Sequence, residues 1–227
     1  MNIIARKMYS FVRFYIVRMS KKDPTKEFVF VALGDSTVEG AGATHHKRSF
    51  TGIIYSMINE RFPKTRYHNF GKFGSSTKDV INEQIDKAIA LKPDLVTISV
   101  GVNDMNNKIL PKTFSRNLTF IIEQLQKETN AKIVINNLPD FTSSSALSRT
   151  HRSLGKLIIS RYNKAIEKVA SDTDVFFIDL YSQSKVYAKH YPELIAEDKF
   201  HPSDFGHALW ANTIMTSIEQ HIFPKSR

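Results

Sequence analysis

A chain of 227 residues, 41% apolar and 24% charged, is long enough for one substantial core, short for two, and free of the biases of disordered or fibrous proteins. It has no cysteine, which excludes disulfides, thiolate metal sites and cysteine nucleophiles. The formal charge of +10 is unevenly placed: residues 1–26 carry seven basic side chains against one acid, Asp23, whereas the other 201 residues carry 25 against 21. The body therefore lacks the basic surplus of a nucleic-acid-binding surface, and no nucleic-acid partner is expected.

Residues 1–26 read as a segment apart from a domain at 27–227. Arg6, Lys7, Arg13 and Arg18 interrupt its apolar sequence, and the longest apolar run is Phe14 to Val17, too short for a transmembrane span or a signal-peptide core. Wound as a helix, it places Ile4, Met8, Phe11, Tyr15 and Met19 on one face and Arg6, Arg13, Lys7 and Arg18 on the other. Such a basic amphipathic helix suits peripheral membrane contact through residues 3–22. Packing on the domain or on a partner chain, a tail disordered in solution, and removal as a targeting segment are the other readings. Cytoplasmic or membrane-peripheral placement is favoured, with secretion open.

From Phe28 onward, strand-like and helix-like stretches alternate. Phe28 to Leu33 is a continuous apolar run ending in Gly34, the pattern of a strand buried on both faces. Helical spacing follows over Phe50 to Arg61, then a weak strand over Arg66 to Asn69. Val80, Ile81, Ile85, Ala88 and Ile89 recur at helical intervals, and Leu95 to Val100 forms a second strong strand ending in Gly101. Phe114, Leu118, Ile121, Ile122 and Leu125 make an amphipathic stripe. Short strands are expected at Lys132 to Asn136 and Val175 to Asp179, with a helix from about Leu157 to Ala170 between them. The last helix starts near Ser203 and turns Ala208, Ala211, Met215 and Ile218 inward. This alternation predicts an α/β fold: a five-stranded parallel sheet in a three-layer, flavodoxin-like α/β/α sandwich. Ligands of such sheets bind beyond the carboxyl ends of the strands.

Three blocks fall where that rule wants chemistry, and a fourth, before the last helix, supplies a base. Gly34-Asp35-Ser36-Thr37 follows the first strand and sets a serine at a strand-to-helix turn; a plain helix cap is its ordinary alternative. Asn69-Phe70-Gly71-Lys72-Phe73-Gly74 follows the second, where glycine leaves backbone N–H groups open to a ligand. Gly101-Val102-Asn103-Asp104 follows the third; the amide of Asn103 can donate to an anionic oxygen without titrating, though Asn-Asp turns are also common. Asp198-Lys199-Phe200-His201 precedes the last helix, and a carboxylate three residues before a histidine can accept its Nδ1–H, freeing Nε2 to take a proton. Together the four supply nucleophile, base, orienting acid and oxyanion donors.

With these blocks the chain resembles the SGNH (GDSL-type) hydrolases over about residues 28–220. Ser36, Gly74, Asn103 and His201 match the four residues that give that family its name, and Asp198 matches its Asp-x-x-His pattern. Leu33 to Gly40, Asn137 to Asp140 and Phe200 to His207 also resemble family signatures. The resemblance implies the SGNH hydrolase fold and a serine esterase or lipase working through an acyl-enzyme. It implies a catalytic triad of Ser36, His201 and Asp198, with an oxyanion hole from the N–H groups of Ser36 and Gly74 and the Asn103 amide. Val38 occupies the place where the Gly-x-Ser-x-Gly elbow of α/β-hydrolases needs glycine. Asp35 and Asp104 read as braces of their turns. His45, His46 and His207 lack partners at metal-ligand spacing, so neither metal nor cofactor is expected.

The expected substrate is a small-molecule or lipid ester; a carbohydrate O-deacetylase of the same family is the near alternative. A non-catalytic, flavodoxin-like binding protein with a phosphate cradled by Ser36, Thr37 and Gly40 is the distant one. Specificity is expected from the loops at Phe141 to Arg152 and Tyr181 to Glu197.

Overall fold

The computed structural model describes residues 22–140, 149–187 and 191–223. All but the last residue of the amphipathic segment expected at 3–22, and the greater part of the loop at 141–152, lie outside the described residues. Five parallel strands form one sheet in the order β2-β1-β3-β4-β5: β1 Glu27–Gly34, β2 Lys64–Asn69, β3 Leu95–Ser99, β4 Lys132–Asn136 and β5 Phe176–Ile178. This is the flavodoxin-like order expected from the sequence.

The central strand shows why its sequence is apolar without interruption. Side chains alternate across a strand, so Val29, Val31 and Leu33 enter one core while Phe28, Phe30 and Ala32 enter the other. The first core is closed by α6 (Pro111–Glu128), through Phe114, Leu118, Ile121, Ile122 and Leu125, and by α7 (Arg149–Thr173), through Ile159, Tyr162 and Ile166. The second is closed by α2 (Phe50–Arg61), through Phe50, Ile54 and Ile58, and by α9 (Asp204–His221), through Ala211, Ile214, Met215 and Ile218. Helices thus cover both faces of the sheet. Each fully buried side chain such as Phe30 or Phe50 contributes about 1.5–3 kcal/mol of transfer free energy.

Several local features differ from the pattern read in the sequence. The helix after Gly74 is broken into α3 (Thr77–Asp79), a π-helical turn over Val80–Gln84, and α4 (Ile85–Ala90). Two short helices appear where loops were expected: α5 (Val102–Asn106) directly after β3, and α8 (Leu180–Tyr187), anchored by the buried Leu180. β3 ends at Ser99, one residue short of Val100. In α9, Ala208 is only partly buried, and Ile214 fills the core position beside Met215. Among the described residues no helix is long and apolar enough to cross a membrane.

Because the chain turns back past β1 on its way from β2 to β3, the sheet changes direction between β1 and β3. Their carboxyl ends border the crevice where open sheets bind ligands. Gly34 closes β1 against β3 at that point: at φ +147, a Cβ added to it would lie 1.9 Å from the Ser99 carbonyl oxygen. Gly34→Ala is therefore expected to destabilise the protein by about 2–4 kcal/mol through overpacking and backbone strain, seen as a lower urea midpoint at unchanged slope.

Candidate active site

Ser36 opens the four-residue helix α1 (Ser36–Glu39) immediately beyond β1. Asp35 caps this helix, its Oδ1 accepting the Thr37 N–H at 3.0 Å, and Gly40 ends it with an N–H donated to the Ser36 carbonyl. A clasp one residue earlier fixes the end of β1. The buried Gln84 side chain accepts the Gly34 N–H and donates to the Gly34 carbonyl, both at 2.9 Å, as a neighbouring strand would. The π-helical turn delivers Gln84 to that position. Ser36 is 7% exposed, with its hydroxyl turned toward the last quarter of the chain.

There it meets His201: Ser36 Oγ lies 2.9 Å from His201 Nε2, and His201 Nδ1 lies 2.6 Å from Asp198 Oδ2. An ionised carboxylate only accepts, so the proton in the second contact is on Nδ1, and Nε2 of the neutral ring is the acceptor for the serine hydroxyl. Asp198 is itself held in place, its Oδ1 accepting the N–H groups of Phe200 and His201 at 2.9 Å each. Burial raises its pKa, but the His201 hydrogen bond and these two N–H groups outweigh it and hold the carboxyl below its ordinary value. Lys199, at φ +60, makes the tight turn between acid and histidine.

Blocks two and three are tied to the same place. The Lys72 N–H donates to the Gly34 carbonyl, and the Phe73 N–H donates to Glu39 of α1 at 2.7 Å. Asn103, in the first turn of α5, donates one amide N–H to the Ser75 carbonyl at 3.0 Å, beside Gly74. Asp104 braces α5 against α3 by accepting the Thr77 N–H at 2.9 Å and the Thr77 hydroxyl at 2.5 Å, while burial pushes its pKa up. The N–H groups of Ser36 and Gly74 donate to no other described residue.

The last helix is locked to the loop after Ser36 by two further residues. His207 is fully buried; its Nδ1 accepts the Phe50 N–H at 3.1 Å and its Nε2–H donates to the Ala41 carbonyl at 3.0 Å. Burial pushes its pKa down to about 4, so it stays neutral. Asp204 accepts from the Thr44 N–H, the Thr44 hydroxyl and Arg48, each at 2.8 Å.

A pocket of about 70 Å³ opens beside His201, between Leu138, Ile195, Leu209 and Trp210. Asp35 borders it. This carboxyl is 4% exposed, and burial pushes its pKa up to about 6, against the pull of the Thr37 N–H and of His201. Among the described residues there is no group of three or more His, Cys, Asp and Glu placed to hold a metal ion.

Of the two expected braces, Asp35 accepts a hydrogen bond across its own turn, whereas Asp104 accepts from Thr77 of α3 and ties two elements together. Gln84, His207 and Asp204 were not anticipated as supports of the site. For Gln84 the signal is present: it is a polar residue at the spacing of Val80 and Ala88, on the face that is otherwise apolar. The pocket-facing position of Asp35 has no such signal, because a carboxylate beside a serine looks the same in sequence whether it faces water or a cavity.

Comparison with known proteins places this geometry. The model of the GDSL-like Lipase/Acylhydrolase family matches residues 32–209. An acetylxylan esterase of Geobacillus stearothermophilus is 23% identical over 180 residues, covering 74% of this chain and 80% of that protein. Among solved structures, the lipase/acylhydrolase from Enterococcus faecalis superposes with a TM-score of 0.70 at 23% identity, covering 88% of this chain and 100% of the other. An acetyl xylan esterase superposes with a TM-score of 0.69 at 21% identity, covering 84% and 100%.

The buried Asp35 gives the site a pH signature. Its folded pKa, about 6, lies above the ordinary 3.8, so the native state holds this proton more tightly than the unfolded chain. Ionisation above pH 6 then opposes folding by up to about 3 kcal/mol, a cost that fades as pH falls from 6 to 3.8. Asp35→Asn keeps the cap and removes the charge. It is expected to stabilise the protein at pH 8 and to have no effect near pH 3.5, measured as the difference in urea midpoints.

Proposed function

The chain belongs to the GDSL-like lipase/acylhydrolase family and is a serine hydrolase of ester bonds; on that premise we propose that Ser36 is its nucleophile, His201 its base and Asp198 the acid that orients His201. The observation that carries this assignment is the unbroken relay from Ser36 through His201 to Asp198, at 2.9 and 2.6 Å.

In the proposed cycle, Ser36 Oγ attacks the ester carbonyl carbon while its proton passes to His201 Nε2. The imidazolium forms against Asp198, which keeps the ring in one tautomer and stabilises its charge. The carbonyl oxygen, now anionic, is held by the N–H groups of Ser36 and Gly74 and by the N–H of the Asn103 amide that does not face Ser75. This assignment of the oxyanion hole is supported by the Asn103 link to the Gly74 loop and by the absence of other described acceptors for the two backbone donors. His201 then protonates the departing alcohol, and water, deprotonated by the same nitrogen, releases the acid from the acyl-enzyme.

The proposed substrate is an acyl or lipid-type ester. A second reading within the same chemistry, removal of acetyl groups from a carbohydrate, is favoured by the likeness to an acetylxylan esterase. The same proposal sets the hydrolase domain at 27–227, a boundary supported by β1 beginning at Glu27, and gives residues 3–22 a peripheral membrane contact.

Ser36→Ala is expected to lose hydrolysis of p-nitrophenyl acetate and labelling by a fluorophosphonate; wild-type turnover in that variant would overturn the assignment. Asn103→Ala is expected to lower kcat on the order of 10²–10³-fold while leaving fluorophosphonate labelling detectable, read from steady-state kinetics.

A further inference from the structure

The pocket beside His201 has polar walls whose side chains are tied by hydrogen bonds to an unequal degree. Ser99 accepts an Asn136 amide N–H, and Ser184 accepts the Asp140 N–H while donating to the Tyr181 carbonyl. The Asp140 side chain also borders the pocket and is not without a partner. Asp35 differs: its carboxyl is 4% exposed, and among the described residues its hydrogen bonds come from Thr37 alone, through the N–H on Oδ1 and through the side chain. A carboxylate offers about four acceptor sites, so Asp35 keeps capacity for a further donor that a bound ligand supplies.

The pocket's position indicates which part of an ester enters it. A tetrahedral carbon on Ser36 carries the anionic oxygen toward Gly74 and Asn103, neither of which lines the pocket. The leaving oxygen must face His201, which does line it, because that nitrogen protonates the departing alcohol. The alcohol portion of the ester therefore points into the pocket. A cavity of about 70 Å³ takes a fragment of two or three carbons, with any larger remainder at the open mouth. We infer that this pocket binds the leaving alcohol, and that Asp35 Oδ2 accepts a hydrogen bond from a hydroxyl on the carbon next to the esterified one. The preferred substrates are then esters of vicinal diols and polyols rather than of simple alkanols. The inference rests on Ser36 and His201 acting as nucleophile and base.

The test compares kcat/KM for glycerol 1-acetate and n-propyl acetate, which share a three-carbon alcohol and differ in its hydroxyls, in wild type, Asp35→Asn and Asp35→Ser. Both variants keep a capping oxygen for the Thr37 N–H. A hydrogen bond to a charged acceptor predicts a wild-type preference of about 10- to 100-fold for the glycerol ester, falling below about threefold in both variants. The ratio isolates the subsite, since any change at His201 acts on both substrates alike. A wild-type enzyme that hydrolyses both esters equally, or a preference that survives both substitutions, overturns the subsite and leaves the esterase assignment standing. An Asp35-dependent preference for methyl lactate over methyl propionate would also overturn it, by moving the hydroxyl to the acyl side. Wild-type rates in Ser36→Ala would overturn both proposals together.

Discussion

A single contact, Ser36 Oγ to His201 Nε2 at 2.9 Å, joins positions 165 residues apart, and most of the polar architecture of this protein maintains it. Neither partner could hold the distance alone. Ser36 is placed by the end of β1, which Gln84 clasps through both backbone groups of Gly34. His201 is placed by a turn whose acid accepts three hydrogen bonds from within it. The two halves are then bolted together by His207 and Asp204, which reach from α9 to the loop after the nucleophile. That loop packs so closely that a Cβ on Gly42 would lie 2.8 Å from the His201 Cβ. Each hydrogen bond is worth about 1 kcal/mol net. Their joint value lies in geometry, because proton transfer between nucleophile and base tolerates little displacement.

The two carboxylates nearest the relay live in contrasting environments. The Asp198 side chain is 46% exposed and receives three donors, which hold its pKa below the ordinary carboxylate value. Asp35 is buried next to Ser36 with Thr37 as its donor, and burial dominates. Environments that drive two acids apart in this way let similar groups serve different purposes within one site. Here one supports the imidazole, and the other borders the pocket beside it.

Much of this was legible beforehand, for physical reasons that can be named. β1 and β3 are buried on both faces, so unbroken apolar runs ending in glycine marked them. α6 faces water on one side, so its stripe of Phe114 to Leu125 was clear. Three of the four blocks stood out because a parallel sheet gathers whatever follows its strands at one edge. Less legible were features decided by tertiary contact. The π-helical turn at Val80–Gln84 ends in the residue that clasps Gly34, a tertiary contact invisible to local periodicity. α5 and α8 are too short for a helical pattern to declare itself. His207 read as a spare histidine because its partners, Ala41 and Phe50, contribute only backbone atoms that any sequence would offer.

The direction of β1 carries a consequence for how the enzyme meets its surroundings. Asp23 is fastened to the Arg61 carbonyl at the amino edge of the sheet, and eight residues of extended strand, about 26 Å, separate that edge from Ser36. Anything that grips the polypeptide just ahead of this point does so from the underside, leaving the mouth of the catalytic crevice facing outward. A tether there would present the enzyme to esters diffusing in the surrounding fluid instead of pressing its active site against the anchoring surface.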